Sequence, residues 1–324
     1  MALTLNDYAK QSKDPLKTAI LENLTRYSDL LAVLPFENVD ALSSVVVRWQ
    51  NLPSVAFRKL NAGYAEASGQ TEQIEESVKP FGGDVDIDRV FTMVKNVIQP
   101  VAVTQTNMKL KSMGYGFNDY FMNGSPTYDA DGFYGLNYRV GTLAAKQSFV
   151  LGTAGTPFDV TASTANEHAF LDGLHKLSKY VGGASAYFMN EAMYLGVSGV
   201  LRRLGLLDTT KDQYDREFST FGGAPLIDIG VKADQTTEII TDVEDPGDGD
   251  LDTSSIYAVK FDSAEGLTGI QLNEMEAYWV GGDDHELEDK PVKRLRIDWV
   301  VGLAGCGSAY VARMYNIEPA GSWS

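Results

Sequence analysis

Apolar positions recur at helical spacing in four stretches and alternate in shorter ones between them. Asp14 and Pro15 open the first as N-cap and first helical residue, and Leu16, Ile20, Leu24 and Tyr27 follow on one side until Pro35 ends the apolar stretch. A longer helix is predicted from Val97 to Asn123. Val97, Val101, Thr104, Met108, Tyr115 and Phe117 share one side, while Lys109, Lys111 and Asn118 lie elsewhere. Pro100 fits only its first turn, and Asn123-Gly124 stops it. About 24 residues rising about 1.5 Å each give a rod of about 36 Å. Thr164 with Glu167 reads as a capping box for a third helix, with Phe170, Leu174, Leu177 and Val181 on its face and Gly182-Gly183 at its end. Asn190 caps a fourth, whose face is Met193, Val197, Val200 and Leu204. Arg202 and Arg203 suit the dipole of its last turn before Gly205.

The extended segments are shorter. Residues 43–62 carry β-branched and aromatic side chains, with Pro53 demoting part of the run to an edge or loop. The following GYAEASGQTEQIEESVKP is too polar to pack and is expected to project, before a second strand at 84–91 (DVDIDRVF). Strand, polar tip and strand form an excursion far longer than an ordinary hairpin loop of about two to five residues. SAYFM at 185–189 reads as a buried strand, and with APLIDIG and the two flanking helices it makes a mixed α/β middle region. SSIYAVKF and GLTGIQL alternate apolar and polar positions. In RLRIDWVVGL, Leu295, Ile297, Trp299 and Val301 share one face and Arg294, Arg296 and Asp298 the other, and SAYVARMYNI is expected to pair with it across a glycine-rich turn, GLAGCG. The fold class is α+β, and no internal repeat suggests a solenoid.

Charge sharpens the picture. The 324 residues carry 27 Lys and Arg against 44 Asp and Glu, a net of −17, which argues against a surface built to grip phosphates. Residues 231–290 hold 17 acidic and 3 basic side chains, so the rest of the chain is nearly neutral. The dense points are TDVEDPGDGDLD (241–252) and GGDDHELEDK (281–290), both loop-like. Asp248, Asp250 and Asp252 have the spacing that opens a calcium loop, but Thr253 and Val259 stand where glycine and glutamate are required, and a solvated acidic loop is the better reading.

Candidate chemistry is sparse. One cysteine, Cys306, excludes an internal disulfide and has no histidine in its sequence context. His168 and His175 share a helix face about two turns apart, too far to bind one metal, and His285 lies in an acidic loop. No Walker A sequence or nucleophile elbow occurs, and the glycines at 302, 305 and 307 read as a turn. The Lys293-Arg294-Leu295-Arg296 cluster is expected to pair with acidic side chains of its own or a neighbouring subunit. No signal peptide or membrane-spanning run is visible, so the chain reads as soluble and folded in a reducing compartment. No cofactor, metal or catalytic residue is assigned.

Several segments, in order and spanning nearly the whole chain, resemble the major capsid proteins of tailed bacteriophages with the Hong Kong 97-type fold. They are LNDYAKQSKDPLKTAILENL, FGGDVDIDRVF, YDADGFYGL, FLDGLHKL, SAYFMNEAMYLGV, YDREFSTFGGAPLIDIG, SSIYAVKFDSAEGLTGIQ and RIDWVVGLAGCGSAYVARMYNI. The resemblance implies an N-terminal arm (1–47), an extended loop reaching over a neighbour (48–83), a peripheral domain (84–144) whose spine helix spans about 97–123, a mainly axial domain (145–290) and a return to the peripheral domain (291–324). Arg48, Arg58, Lys59, Glu72, Glu75 and Glu76 in the loop, and Asp245, Asp248, Asp250 and Asp252 in the axial region, become candidates for contacts between subunits.

The implied function is a structural subunit of an icosahedral or prolate shell around double-stranded DNA. Its expected partners are copies of itself in pentamers and hexamers, a portal protein, a separate scaffold protein, a decoration protein and DNA held without sequence specificity. The arm-like sequence begins almost at Met1, which leaves no room for a cleaved scaffolding segment and is why a separate scaffold, or a processed chain, is expected. Some family members crosslink a lysine to an asparagine, but no matching motif surrounds Lys59. The localisation implied is the virion, after assembly in the host cytoplasm. An encapsulin-like compartment shell is the alternative, and a soluble hydrolase with an unrecognised site is a third reading.

Overall fold

The computed structural model describes residues 3–11, 15–93, 101–142, 147–211, 217–245, 253–280, 290–307 and 309–318. The chain opens with β1 (Leu3–Thr4), α1 (Leu5–Gln11), α2 (Pro15–Tyr27), α3 (Asp29–Val33) and β2 (Pro35–Asn38). The long strands β3 (Ser43–Asn51), β4 (Gln70–Ser77) and β5 (Lys79–Asp88) follow, then α4 (Arg89–Met93), α5 (Val101–Asn123) and α6 (Leu136–Thr142). A middle region contains β6 (Ser148–Val150), β7 (Phe158–Asp159), α7 (Thr164–Tyr180), β8 (Ala186–Met189), α8 (Glu191–Arg203), β9 (Asp208–Lys211), β10 (Glu217–Phe221) and β11 (Ala224–Asp228). The last strands are β12 (Ser254–Val259), β13 (Leu267–Gln271), β14 (Glu276–Trp279), β15 (Val292–Gly305) and β16 (Val311–Glu318). No helix among the described residues is long and apolar enough to cross a membrane.

Three sheets organise these elements. An eight-stranded sheet runs β6-β16-β12-β8-β11-β10-β9 with β7 also on β16, a six-stranded sheet runs β1-β2-β13-β15-β14 with β5 also on β15, and β3 and β4 make a two-stranded sheet. The eight-stranded sheet is covered on both faces. Phe188, Tyr257 and Val259 point into one core with α2, α3, α5 and the six-stranded sheet, while Tyr187, Met189, Ile256 and Ala258 point into a second core with α7 and α8. Burial on both faces explains why SAYFM is continuously apolar, and it corrects the alternation read in SSIYAVKF, whose strand is buried at every position.

Several sequence expectations held. Pro15 starts α2, with Ile20 and Leu24 buried, and Asp14 lies outside the described residues. Asn190 caps α8 through Met193 N, and Gly205 follows in the left-handed region at φ 67. The α7 face of Phe170, Leu174 and Leu177 is buried, but its N-cap is Ser163 rather than Thr164, and Glu167 is occupied by Arg203 at 2.6 Å.

The face of α5 also differs. Leu110, Met113, Phe117 and Phe121 are its buried side, while Met108 is 61% exposed, so the sequence stripe was rotated off the real one. Asn118 is buried with them because it is fully used. It receives the Ser28 hydroxyl at 2.6 Å and donates to the Ile229 carbonyl at 3.0 Å. The described part of the helix is 23 residues, or about 34 Å.

The end of the chain departs furthest from expectation. GLAGCG is not a turn: β15 runs on through Gly305, and β16 joins the other sheet. The glycines serve close approach instead. A Cβ at Gly302 would strike the Ser77 carbonyl, and one at Gly305 would strike Tyr310 and Arg139. Cys306 is half-buried, and burial raises its thiol pKa, in keeping with a small packing residue.

Candidate assembly surface

β3 and β4 form a projecting antiparallel ribbon, with Ser43 opposite Ser77 and Arg48 opposite Glu72. The valine run of β3 favours a strand. At the root, Val46 packs with Val78, Ile270 and Ala304, whereas Val45 and Val47 stay exposed. Residues 52–69 leave the ribbon and are exposed at every position. This corrects the sequence reading in two ways. The return strand of the excursion is 70–77 rather than 84–91, because the latter region, as β5, pairs with β15. The tip is also not its most polar part, since Leu52, Val55, Phe57, Leu60 and Tyr64 all stand in solvent, each at least 72% exposed.

The tip has internal order. Ala62 N donates to the Lys59 carbonyl at 3.1 Å in a turn that places Asn61 at φ 65. The Arg58 guanidinium donates to the Ala62 carbonyl at 3.2 Å and lies 5.2 Å from the centre of the Tyr64 ring. An isolated two-stranded ribbon is at best marginally stable in water, and a cluster of large exposed apolar side chains marks a surface that another body covers.

The root is fixed by a buried ion pair. Glu76 is 4% exposed and Arg139, on α6, is also 4% exposed. The guanidinium meets both carboxylate oxygens, at 2.5 and 3.0 Å, and also donates to the Leu303 carbonyl, the Tyr310 hydroxyl and the Tyr134 carbonyl. Burial opposes the charge of Arg139, but Tyr310 and Glu76 outweigh it and raise its pKa. Glu76, expected as an inter-subunit contact, is therefore consumed within its own chain.

The remaining candidates are scattered. Arg48 pairs with Glu72 across the ribbon at 3.0 Å, and Glu75, Arg58 and Lys59 are exposed. Asp245 is exposed at the edge of a described segment, and Asp248, Asp250 and Asp252 lie outside the described residues, as does His285. The Arg294 and Arg296 cluster pairs within its own subunit, with Asp86 at 2.6 and 2.7 Å and with Asp84 at 2.8 Å. Hydrogen bonds from these arginines lower the pKa of both aspartates. His168 and His175 are exposed, and His175 rests on Phe221 with ring centres 4.8 Å apart. Among the described residues no group of three or more His, Cys, Asp or Glu is placed to hold a metal.

Sequence reasoning missed Arg139 and the apolar tip. Arg139 has no local signal, because Glu76, Leu303 and Tyr310, which hold its charged end, lie 63, 164 and 171 residues away. The tip did carry one: Leu52, Val55, Phe57 and Leu60 are apolar beside Pro53, in a stretch that no sheet can absorb.

Comparison with known proteins agrees with this arrangement. Residues 12–163 match the family model described as major capsid protein GP7. No curated protein matches the sequence. Among solved structures, the holo-SrpI encapsulin complex from Synechococcus elongatus is similar at 14% identity and a TM-score of 0.61, over 91% of this chain and 90% of that one. The capsid of a native GTA particle is similar at 15% identity and a TM-score of 0.59, over 91% of each chain. A structure from Mycobacterium phage Bobi is similar at 10% identity and a TM-score of 0.57, again over 91% of each. At these identities the likeness is one of fold.

Proposed function

We propose that this chain, which has the Hong Kong 97-type capsid fold, is the structural subunit of a phage capsid. Its role is structural rather than catalytic, and it assembles with copies of itself into an oligomeric shell. The observation that carries this reading is the ribbon whose apolar tip is covered by none of the described residues, in a protein whose residues 12–163 match a capsid protein model. Head-to-tail contacts of that kind generate rings and closed shells, and many weak contacts per subunit make the shell stable.

The finer reading is a shell of pentamers and hexamers, icosahedral or prolate, enclosing double-stranded DNA without sequence-specific binding. The portal, scaffold and decoration proteins are its partners, and assembly takes place in the host cytoplasm. In this scheme β3 and β4 are the extended loop and α5 is the spine helix. The nearly neutral body outside residues 231–290 suits a wall that contains DNA without clinging to it. An encapsulin-like compartment is the second reading, favoured by the likeness to the encapsulin complex. Purified particles that contain protein cargo and no DNA select it.

The test replaces residues 52–69 with Asn-Gly, a two-residue turn that closes the ribbon at Asn51 and Gln70. The body keeps its circular dichroism and melting behaviour, while megadalton particles, read by light scattering and electron microscopy, disappear. Undiminished particles in this variant, or a wild-type chain that stays a compact monomer in every condition, overturn the reading.

A further inference from the structure

A cleft of about 810 Å³ opens between the turn that follows α5 and the segment 232–242. Small-ligand sites usually enclose about 300–1,000 Å³ and are mostly apolar. This one has the size but not the lining. Five of the eleven described residues around it are serine or threonine, Asn123 adds an amide, and Ile239 is its one aliphatic side chain. The only aromatic surface among them is Tyr128, which is 46% exposed.

The polar groups of the cleft are held in place from behind. Asn123 donates to Asp119 at 2.8 Å and to the Ile239 carbonyl at 3.1 Å, which leaves its own carbonyl oxygen without a partner among the described residues. The Tyr128 hydroxyl donates to Asp119 at 2.5 Å, its backbone N donates to the Ser125 hydroxyl at 3.0 Å, and the Tyr120 ring meets its ring edge-on at 6.0 Å. One oxygen of Glu238 receives Asn190 at 3.0 Å, and the other has no described partner. Asp242 is exposed and makes no hydrogen bond or ion pair with the described residues. Side chains fixed before binding lose little freedom when a ligand arrives, unlike those of an ordinary solvated surface.

Charge and polarity narrow the ligand. Lys232 is held by Asp119 at 3.6 Å, and Glu238 and Asp242 stand on the same wall, so a phosphate or other anion is repelled. Lys232 disfavours a cation in turn. An apolar ligand would strip water from hydroxyls and carboxylates without replacing its hydrogen bonds. What fits is a neutral molecule rich in hydroxyls, each of which both donates and accepts, with an apolar C–H face for the Tyr128 ring.

We propose that this cleft binds a neutral oligosaccharide, with one sugar ring stacked on Tyr128 and its hydroxyls bonded to Asn123, Glu238 and Asp242. The inference goes beyond the shell reading and does not depend on it.

The full-length chain, as purified, is applied to an array of neutral oligosaccharides of hexoses, deoxyhexoses and N-acetylhexosamines, with sialylated and sulfated oligosaccharides as an anionic arm. Binding confined to the neutral arm is expected, and its strongest member is then titrated by calorimetry. Tyr128→Ala removes the stacking surface and lowers affinity about tenfold. Because Tyr128 also braces its turn, a second variant is Asp242→Ala, which breaks no contact among the described residues. It should melt as the wild type does and lose about tenfold in affinity. Absence of binding to every neutral oligosaccharide, binding to the anionic arm alone, or unchanged affinity in either folded variant overturns the site. Light scattering keeps the two readings apart: particles that bind no oligosaccharide overturn this inference and leave the shell intact, and oligosaccharide binding by a chain that never forms particles does the reverse.

Discussion

Glu76 and Arg139 face each other as a two-point ion pair, 2.5 and 3.0 Å between oxygens and nitrogens, with both side chains about 5% exposed. The pair joins β4 to α6, and through Leu303 and Tyr310 it joins both to the two sheets. It thus sets where the ribbon leaves the body. Removing one partner leaves a buried charge, which costs about 3–5 kcal/mol, whereas replacing both with apolar residues costs far less. Glu76→Ala is expected to lower unfolding free energy by about that amount in denaturant titration. Glu76→Leu with Arg139→Met should recover most of it. Hydrogen exchange across residues 70–77 checks the local part: faster exchange there than in β12 is expected for Glu76→Ala, and uniform exchange across both strands would show that the pair does not fix the root.

Asp228 gives a pH dependence of opposite sense to the surface carboxylates. Burial raises its pKa, and the nearby charges of Glu191 and Asp29 add to this, although Gly230 N donates to it. A folded-state pKa above the unfolded one means the folded state binds the proton more tightly. Stability from this group is therefore full below the unfolded value and is lost as pH rises through the raised one. Asp228→Asn keeps an oxygen for Gly230 N and removes the buried charge. It should stabilise the protein at neutral pH, on the order of 1 kcal/mol, and change nothing in strong acid. Thermal melts across pH check this. Asp84 and Asp86 act the other way, since their lowered pKa values give stability that is lost on acidification, and solvent screening keeps that effect small.

What the sequence made legible follows the range of the interactions. Helix caps and faces are local, so Asn190, Gly205 and the stripe from Phe170 to Leu177 could be read directly. That Arg294 and Arg296 pair with acids could be expected from the acidic balance of the chain, but the choice between their own subunit and a neighbour could not, and the structure places the partners, Asp86 and Asp84, in the same chain. Strand partners are not local. SAYVARMYNI was assigned to the nearest strand in sequence, yet β16 pairs with β12, some fifty residues earlier, because Gly302 and Gly305 serve packing rather than a turn. The polar β4 could be placed only by its register with β3. In the candidate surface, the excursion was visible as an oddity of length, but the buried role of Glu76 depended on Arg139, and no pattern within either segment points to the other.

Asn118 extends the same lesson to a junction within the first core. It sits on α5 with 4% exposure, accepts from the hydroxyl of Ser28 and donates to the carbonyl of Ile229, just past the end of β11. Ser28 is itself the N-cap of α3, where its side chain accepts from Leu31 N at 3.2 Å. One amide thus ties a helix cap in the first core to the loop that leaves the eight-stranded sheet. Asn118→Leu conserves size but strands the Ser28 hydroxyl and the Ile229 carbonyl without their partner. Each buried polar group left unpaired costs about 1–3 kcal/mol, so a loss of about 2–6 kcal/mol is expected in denaturant titration. Asn118→Leu combined with Ser28→Ala relieves one of the two groups but removes the cap of α3, worth about 1 kcal/mol, and should leave stability close to that of the single variant. A loss below about 0.5 kcal/mol for Asn118→Leu would mean that water replaces the amide at both groups and that the tie does not hold the junction together.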